Sequence, residues 1–127
     1  VDPPFIPFAP GFARWNLVTH RLLWLRPGGG QESLWTLEQS LRSGACSAVL
    51  GWWAGGMKPD QVRRLQLAAE RGDATTFVFR PLEVGNPASP AALRLQARRL
   101  EGGIEVEVLK RRGGPLSAPR IVPTATA

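Results

Sequence analysis

The sequence predicts an α/β protein in which a parallel sheet is followed by an antiparallel β-hairpin. Two observations predict this fold class: short apolar runs alternate with amphipathic helical segments up to residue 79, and period-two alternation begins after residue 92. With 127 residues and no internal repeat, the chain has the length of one domain. We therefore predict an α/β core over residues 1–91, with a basic β-hairpin and C-terminal tail of the same domain over residues 92–127.

The first 30 residues predict an irregular start and one short strand. Four prolines fall within the first ten residues, which we expect to be the extended exit of a strand whose body lies upstream. A helical turn or two is predicted from Ala9 to Trp15. The segment Arg21–Leu25, "RLLWL", is a strand candidate, and "PGGG" at Pro27–Gly30 ends it.

The next segment predicts a helix followed by a buried strand. From Gln31 to Ser43, leucines recur at i, i+3 and i+7, which is the spacing of one buried helical stripe, and Gly44 supplies a C-terminal stop. The run "SAVLGW" at residues 47–52 is apolar at consecutive positions. That pattern is typical of a parallel strand with helices packed on both faces.

A second helix and strand complete the predicted βαβ series. Pro59 suits the first turn of a helix, and apolar residues at helical spacing continue to Gly72. The β-branched and aromatic run Thr75–Phe79, "TTFVF", predicts another buried strand. Strands and helices joined in this order predict a parallel sheet with right-handed crossovers.

The C-terminal third changes to the pattern of a hairpin. Apolar and charged residues alternate from Leu93 to Arg98 and again from Ile104 to Val108, on either side of Gly102-Gly103. We expect one solvated face on which Arg and Glu side chains pair across the strands. "RIV" at 120–122 predicts a last short strand, and residues 123–127 predict a frayed tail.

The composition argues against catalysis and against a metal centre. One cysteine, Cys46, and one histidine, His20, cannot assemble a Cys/His metal cluster. "PGGG" lacks the Lys and Ser/Thr of a phosphate-binding loop, so it is interpreted as a turn. We predict no catalytic residues, no metal, no cofactor and no enzymatic activity. The sequence also lacks an apolar run of about 18 residues and a signal-peptide pattern, which predicts a cytoplasmic protein without membrane contact.

The strongest binding candidate is a run of three cations. Of the net charge of +6, residues 92–127 hold +4, from seven cations and three carboxylates. Lys110, Arg111 and Arg112 end a predicted strand and precede Gly113-Gly114, so they can reach phosphates or an acidic protein surface. A plain solvated turn is the alternative. No aromatic residue is interleaved with the run, which argues against base stacking.

The predicted strand at 47–52 ends in Trp52, and Trp53 follows it. Core packing is the simpler interpretation, because each indole buries about 150–250 Å². The alternative is that one of them is an exposed anchor for a partner, since tryptophan is enriched at binding hot spots.

Three segments carry a family resemblance: "VDPPFIPFAPGFARWNL", "LEQSLRSGACSAVLGW" and "LKRRGGP". Together they resemble the ImuA family, RecA-like accessory proteins of bacterial SOS mutagenesis, and the resemblance covers nearly the whole chain. The chain is also similar, more distantly, to the RecA core and to the division inhibitor SulA. These resemblances imply the C-terminal part of a RecA-like three-layer core that lacks the P-loop.

The same resemblance places Trp52 and Trp53 where RecA-like ATPases hold magnesium through an aspartate. Asp2, near the position of the catalytic acidic pair, is followed by two prolines. Because an indole cannot bind a hard cation, nucleotide hydrolysis is not expected. An ATPase whose P-loop lies upstream is a further hypothesis, against which the missing carboxylate also counts.

The function implied by the ImuA resemblance is that of a non-catalytic accessory in error-prone translesion synthesis. The implied partners are the mutasome proteins ImuB and an error-prone C-family polymerase, together with RecA, and DNA is a further candidate. The alternative implied by SulA is inhibition of cell division through binding of FtsZ.

Overall fold

The computed structural model describes residues 1–82 and 89–124. The chain divides into two compact units, Val1–Ala88 and Ser89–Ala127. The division lies close to the predicted change of pattern between residues 91 and 92. Within the described residues, no helix combines the length and apolar character needed to cross a bilayer.

The elements of the first unit that lie wholly within residues 1–81 are three α-helices, one 3₁₀ turn and two strands. In chain order these are α1 (Ala9–Ala13), the 3₁₀ turn (Thr19–Arg21), α2 (Gln31–Arg42), β1 (Ala48–Trp52), α3 (Pro59–Gly72) and β2 (Thr75–Phe79). Helices α1, α2 and α3 and strands β1 and β2 confirm the helices and strands predicted for these segments. Strands β1 and β2 pair in parallel, as the βαβ pattern predicted.

The predicted strand at Arg21–Leu25 is wrong. Its first residue belongs to the 3₁₀ turn, and residues 22–28 form no strand. A strand requires a ladder of backbone bonds, and in this segment the Leu25 carbonyl accepts a single such bond, from the Asp2 N–H at 3.0 Å. The neighbouring Val1 carbonyl accepts from the Trp52 N–H at 3.1 Å, so Val1 lies beside β1.

Helix α2 carries the leucine stripe that the sequence predicted. Leu34, Leu37 and Leu41 are all buried. The helix ends at Arg42, and Gly44 follows with φ of +67°, a conformation that glycine adopts without strain. At the other end, the Glu32 carboxylate accepts a hydrogen bond from the Gly28 N–H at 2.8 Å, which holds the preceding turn.

Helices α2 and α3 approach each other closely at Gly72. A Cβ added there would lie 1.7 Å from the Leu41 carbonyl oxygen, so this crossing requires glycine. Helix α3 starts at Pro59, and the preceding Lys58 N–H donates to the Gln61 side-chain oxygen at 2.8 Å. This contact corresponds to the Glu/Gln half of a capping box and satisfies a free backbone group at the helix start.

Both helices cover the same face of the β1–β2 sheet. Val49 and Gly51 are buried on that face, and a Cβ on Gly51 would lie 2.5 Å from a Leu37 methyl group. On the opposite face Leu50, Phe77 and Phe79 are about half exposed. The prediction that both strands are buried on both faces is therefore wrong. Apolar runs are compatible with two covered faces, but in the described structure helices cover one.

The second unit is a three-stranded antiparallel sheet. It contains β3 (Leu93–Leu100), β4 (Gly103–Arg111) and β5 (Arg120–Pro123), in the order β3-β4-β5. This confirms the predicted hairpin and last strand. The turn between β3 and β4 is Glu101-Gly102, one residue earlier than the predicted Gly102-Gly103, because Gly103 already belongs to β4; Gly102 has φ of +80°. Residues 125–127 of the predicted tail lie outside the described residues.

The prediction of a solvated charged face is only partly right. Arg98 and Glu105 pair across β3 and β4 with 3.9 Å between their charged atoms, as expected. Along β3, however, Leu93 and Leu95 are the more exposed side chains, while Arg94 and Gln96 are half-buried. The alternation was correctly recognised, but it does not identify which face lies open.

Candidate functional site

An open cleft of about 890 Å³ lies at the carboxyl ends of β1 and β2. Its walls come from the strand ends, the loop that follows β1 and the start of α2. In parallel α/β sheets, ligands bind in the crevice outside the carboxyl ends of the strands. The position and lining of this cleft make it the candidate site of the first unit.

Trp52 forms the aromatic wall of the cleft together with Phe79. Their ring centroids are 4.9 Å apart, with an angle of 18° between the ring planes. The two residues are register partners at the ends of β1 and β2, on the sheet face that the helices leave open. This geometry fixes the indole in place while part of it stays exposed. Of the two tryptophans, Trp52 has the arrangement expected of an anchor.

Trp53 also lines the cleft but is tied into the fold. Its backbone N–H donates to the Phe79 carbonyl at 2.9 Å, and its indole N–H donates to the Gly56 carbonyl at 3.2 Å. Its side chain packs against the hydrophobic core. The core interpretation of the sequence therefore describes Trp53 best.

Three polar features converge on the same cleft. The Ser33 hydroxyl donates to the Asp2 carboxylate, beside the backbone of Gly29 and Gly30. Across the cleft, Arg80 Nε donates to the Gly55 carbonyl at 3.3 Å, while its buried Nη2 has no hydrogen-bond partner. The cleft thus combines apolar surface with a guanidinium, a carboxylate and a hydroxyl group, each of which is hydrogen-bonded within the chain.

Among the described residues that line the cleft, Asp2 is the acidic one. Among residues 1–82 and 89–124, no group of three His, Cys, Asp or Glu side chains is placed to hold a metal ion. The cleft has the surface of a binding site, and the described residues offer no pair of carboxylates for acid–base chemistry.

Sequence reasoning did not identify Phe79, Arg80 or Ser33 as site residues. A signal was available for Phe79, because adjacent parallel strands end at the same sheet edge and Phe79 ends the strand next to Trp52. No signal marked Ser33, whose contact with Asp2 joins residues 31 positions apart.

The basic run predicted as a binding site lies in the second unit. Lys110 is half-buried, and its ammonium donates to the Ser89 carbonyl. Arg111 Nε donates to the Gly113 carbonyl at 3.0 Å. Within the described part of the chain, the Arg112 guanidinium makes no hydrogen bond or ion pair. The three cations therefore do not form a uniformly free cluster, since two of them are held by nearby carbonyl groups.

The sequence of the chain is related to proteins named cell division inhibitor SulA. It is 32% identical over 74 residues to the protein from Cronobacter sakazakii, covering 58% of this chain and 42% of that protein. It is 43% identical over 58 residues to the one from Photorhabdus laumondii, covering 46% and 32%. With the protein from Edwardsiella piscicida it shares 33% identity over 88 residues, covering 65% and 52%.

The matched region spans about a third to a half of the length of these SulA proteins. No known family profile matches the chain. No solved structure matches it either. The relationship confirms the predicted likeness to SulA, whereas the closer likeness to ImuA stays a prediction.

Proposed function

We propose that this chain is a non-catalytic SOS-response protein that acts in the cytoplasm by binding FtsZ and inhibiting cell division. The observation that carries the proposal is the sequence relationship to proteins named cell division inhibitor SulA. FtsZ is the partner that the resemblance to SulA implied. This was the alternative hypothesis from the sequence, and the relationship favours it over a role in translesion synthesis.

The cleft supplies a surface suited to binding a protein. Trp52 stacks on Phe79, which holds a large apolar side chain in one orientation at low entropic cost. Arg80 also lines this cleft. Tryptophan and arginine are the residues most enriched at interface hot spots, especially where water is excluded around them. We assign the binding of FtsZ to this cleft, with Trp52 as the anchor.

The non-catalytic part of the proposal rests on the end of β1. A RecA-like ATPase holds magnesium there through a carboxylate, whereas this chain has Trp52 and Trp53. Magnesium requires oxygen ligands in nearly octahedral geometry, which an indole cannot supply. The proposed fold is correspondingly a RecA-like core that serves as a scaffold for binding.

The experiment is equilibrium binding of the purified chain to FtsZ, comparing Trp52→Ala with Trp35→Ala. Trp35 is a matched control because it is 61% exposed on α2 and does not line the cleft. We expect Trp52→Ala to weaken binding at least about tenfold and Trp35→Ala to leave it unchanged. Trp52→Phe should restore part of the affinity, because phenylalanine can still stack on Phe79. Circular dichroism verifies that each variant is folded.

The possible outcomes distinguish an error in the proposed partner, FtsZ, from an error in the proposed binding site, the cleft. If FtsZ does not bind the parent chain, the proposed function is wrong. If FtsZ binds and the two alanine variants behave alike, the assignment to the cleft is wrong. ImuB, the C-family polymerase, RecA and single-stranded DNA belong in the same assay. Binding to them in place of FtsZ would restore the translesion-synthesis hypothesis.

A further inference from the structure

The two faces of the β3–β4–β5 sheet carry different charges. In an antiparallel sheet, directly paired residues project to the same face, so the register assigns each side chain to a face. One face is built from four rows of paired residues. These rows are Leu93–Arg111, Leu95–Val108, Ala97–Val106–Arg120 and Arg99–Ile104–Val122.

The opposite face carries both signs of charge. Arg98 pairs with Glu105 at 3.9 Å, Gln96 lies opposite Glu107, and Arg94 lies opposite Lys110. Both carboxylates in the interior of β4, Glu105 and Glu107, therefore lie on this mixed face. The cations of this mixed face therefore share it with two carboxylates of the same sheet.

The first face combines apolar side chains with arginines alone. Leu93, Leu95 and Val122 are 54%, 50% and 52% exposed. Arg99, Arg111 and Arg120 lie in the same rows and are exposed, and none of the residues in these four rows is acidic. We call this surface the Leu–Arg face. Its arginines lie at both ends of an apolar strip, and Arg111 also bonds to the Gly113 carbonyl.

We propose that the Leu–Arg face docks an acidic amphipathic segment of a partner protein. An apolar stripe on such a segment covers the leucines and valines, and flanking Glu or Asp side chains meet the arginines. Exposed apolar surface rimmed by polar residues is characteristic of protein interaction sites. Arginine is well suited to the charged contacts, because its planar guanidinium binds a carboxylate through two parallel hydrogen bonds.

Two other classes of partner fit this surface less well. Nucleic acid binding gains from aromatic side chains that stack on bases, and the four rows contain none. Leucine and valine gain nothing from contact with phosphates. Recognition of anionic membranes typically uses clusters of about 4–8 lysines or arginines, which is more than this face presents. The charge complementarity therefore favours an acidic protein segment. The inference is independent of the cleft and of FtsZ.

The test uses two synthetic helical peptides of about 18 residues, which match the length of an eight-residue strand such as β3. Both carry the same leucine stripe, flanked by glutamates in one peptide and by lysines in the other. Binding to the full chain is followed by fluorescence anisotropy. We expect the acidic peptide to bind at least about tenfold more tightly than the basic one. Equal binding of the two peptides, or no binding of either, would overturn the proposal.

Two double variants locate the contact on the chain. Arg99→Glu with Arg120→Glu should weaken binding of the acidic peptide about tenfold. Arg63→Glu with Arg71→Glu changes the net charge equally on exposed positions of α3 and should have little effect. If both double variants lose affinity equally, the attraction is a general effect of net charge and the assignment to this face is wrong. Tighter binding of the chain to single-stranded DNA or to phosphatidylglycerol vesicles would also overturn the proposal.

Discussion

The two units of this chain differ in how much apolar surface they bury. All seven buried hydrophobic side chains of the described structure lie in the first unit: Leu34, Leu37, Leu41, Val49, Met57, Leu65 and Ala68. In residues 89–124, no hydrophobic side chain is fully buried. The cause is the layering of each unit, because two helices exclude water from one face of the β1–β2 sheet, whereas the second unit has a single layer.

The difference indicates a division of roles within the chain. Packing of α2 and α3 on the sheet supplies the burial that stabilises the first unit. A three-stranded sheet with no buried core relies on its backbone ladder and cross-strand pairs, which give limited stability alone. Its apolar side chains remain available for contact with another surface. The predictions below test this contrast through substitutions in each kind of environment.

The largest effect is expected from Leu37→Ala. Leu37 is fully buried, so its truncation removes apolar contacts and leaves a cavity, which should reduce the free energy of unfolding by about 2–5 kcal/mol. The matched change Leu95→Ala in the exposed row of β3 should cost less than about 1 kcal/mol. Urea denaturation of both variants measures the difference. If the two variants lose similar amounts of unfolding free energy, the difference in burial between the two units does not determine their stability.

A smaller effect is expected from Gly72→Ala. The new methyl group would meet the Leu41 carbonyl at 1.7 Å, so the two helices must separate, at a cost of about 1–3 kcal/mol. Gly55→Ala is the control, because a Cβ there has no atom within 4 Å. Thermal unfolding should show a lowered midpoint for the first variant alone. An unchanged midpoint for Gly72→Ala would contradict the close crossing of α2 and α3.

The smallest effect is expected from Glu38→Gln. Glu38 accepts from Arg42 on its own helix, at 3.4 Å, and from Arg64 on α3. Both arginines are about half exposed, so the loss should be about 0.2–1 kcal/mol and should shrink as salt is added. Glu70→Gln, an exposed position on α3, provides the comparison. A loss that does not change with ionic strength would show that Glu38 acts through packing.

Local sequence patterns predicted the helices and strands of this fold better than they predicted which side chains are exposed. The leucine stripe of α2 and the alternation of β3 and β4 are set by periodicity, and the structure confirms both. The exposure of a strand's side chains depends on which sheet face the helices cover, and those helices come from other segments of the chain. The exposure of Leu50 and Phe77 on the open sheet face could therefore not be inferred from the runs "SAVLGW" and "TTFVF". The single backbone contact of Leu25 likewise depends on Asp2, far away in sequence.

The candidate site was predictable in part. The two tryptophans were identified from the sequence, but the two interpretations offered for them could not be told apart without coordinates. In the structure Trp52 stacks on Phe79 in the cleft and Trp53 packs on the core, while the role of Trp52 as an anchor stays a prediction. The basic run was also identified, whereas the carbonyl groups that hold Lys110 and Arg111 depend on loop geometry.

The most direct test of the proposed function is the rate of GTP hydrolysis by FtsZ as increasing amounts of this chain are added. We predict that hydrolysis and sedimentable polymer both fall as the chain approaches equimolar amounts, and that Trp52→Ala requires a higher concentration for the same inhibition. Hydrolysis and polymer that stay unchanged at a molar excess of folded chain would contradict the proposal that it inhibits division through FtsZ.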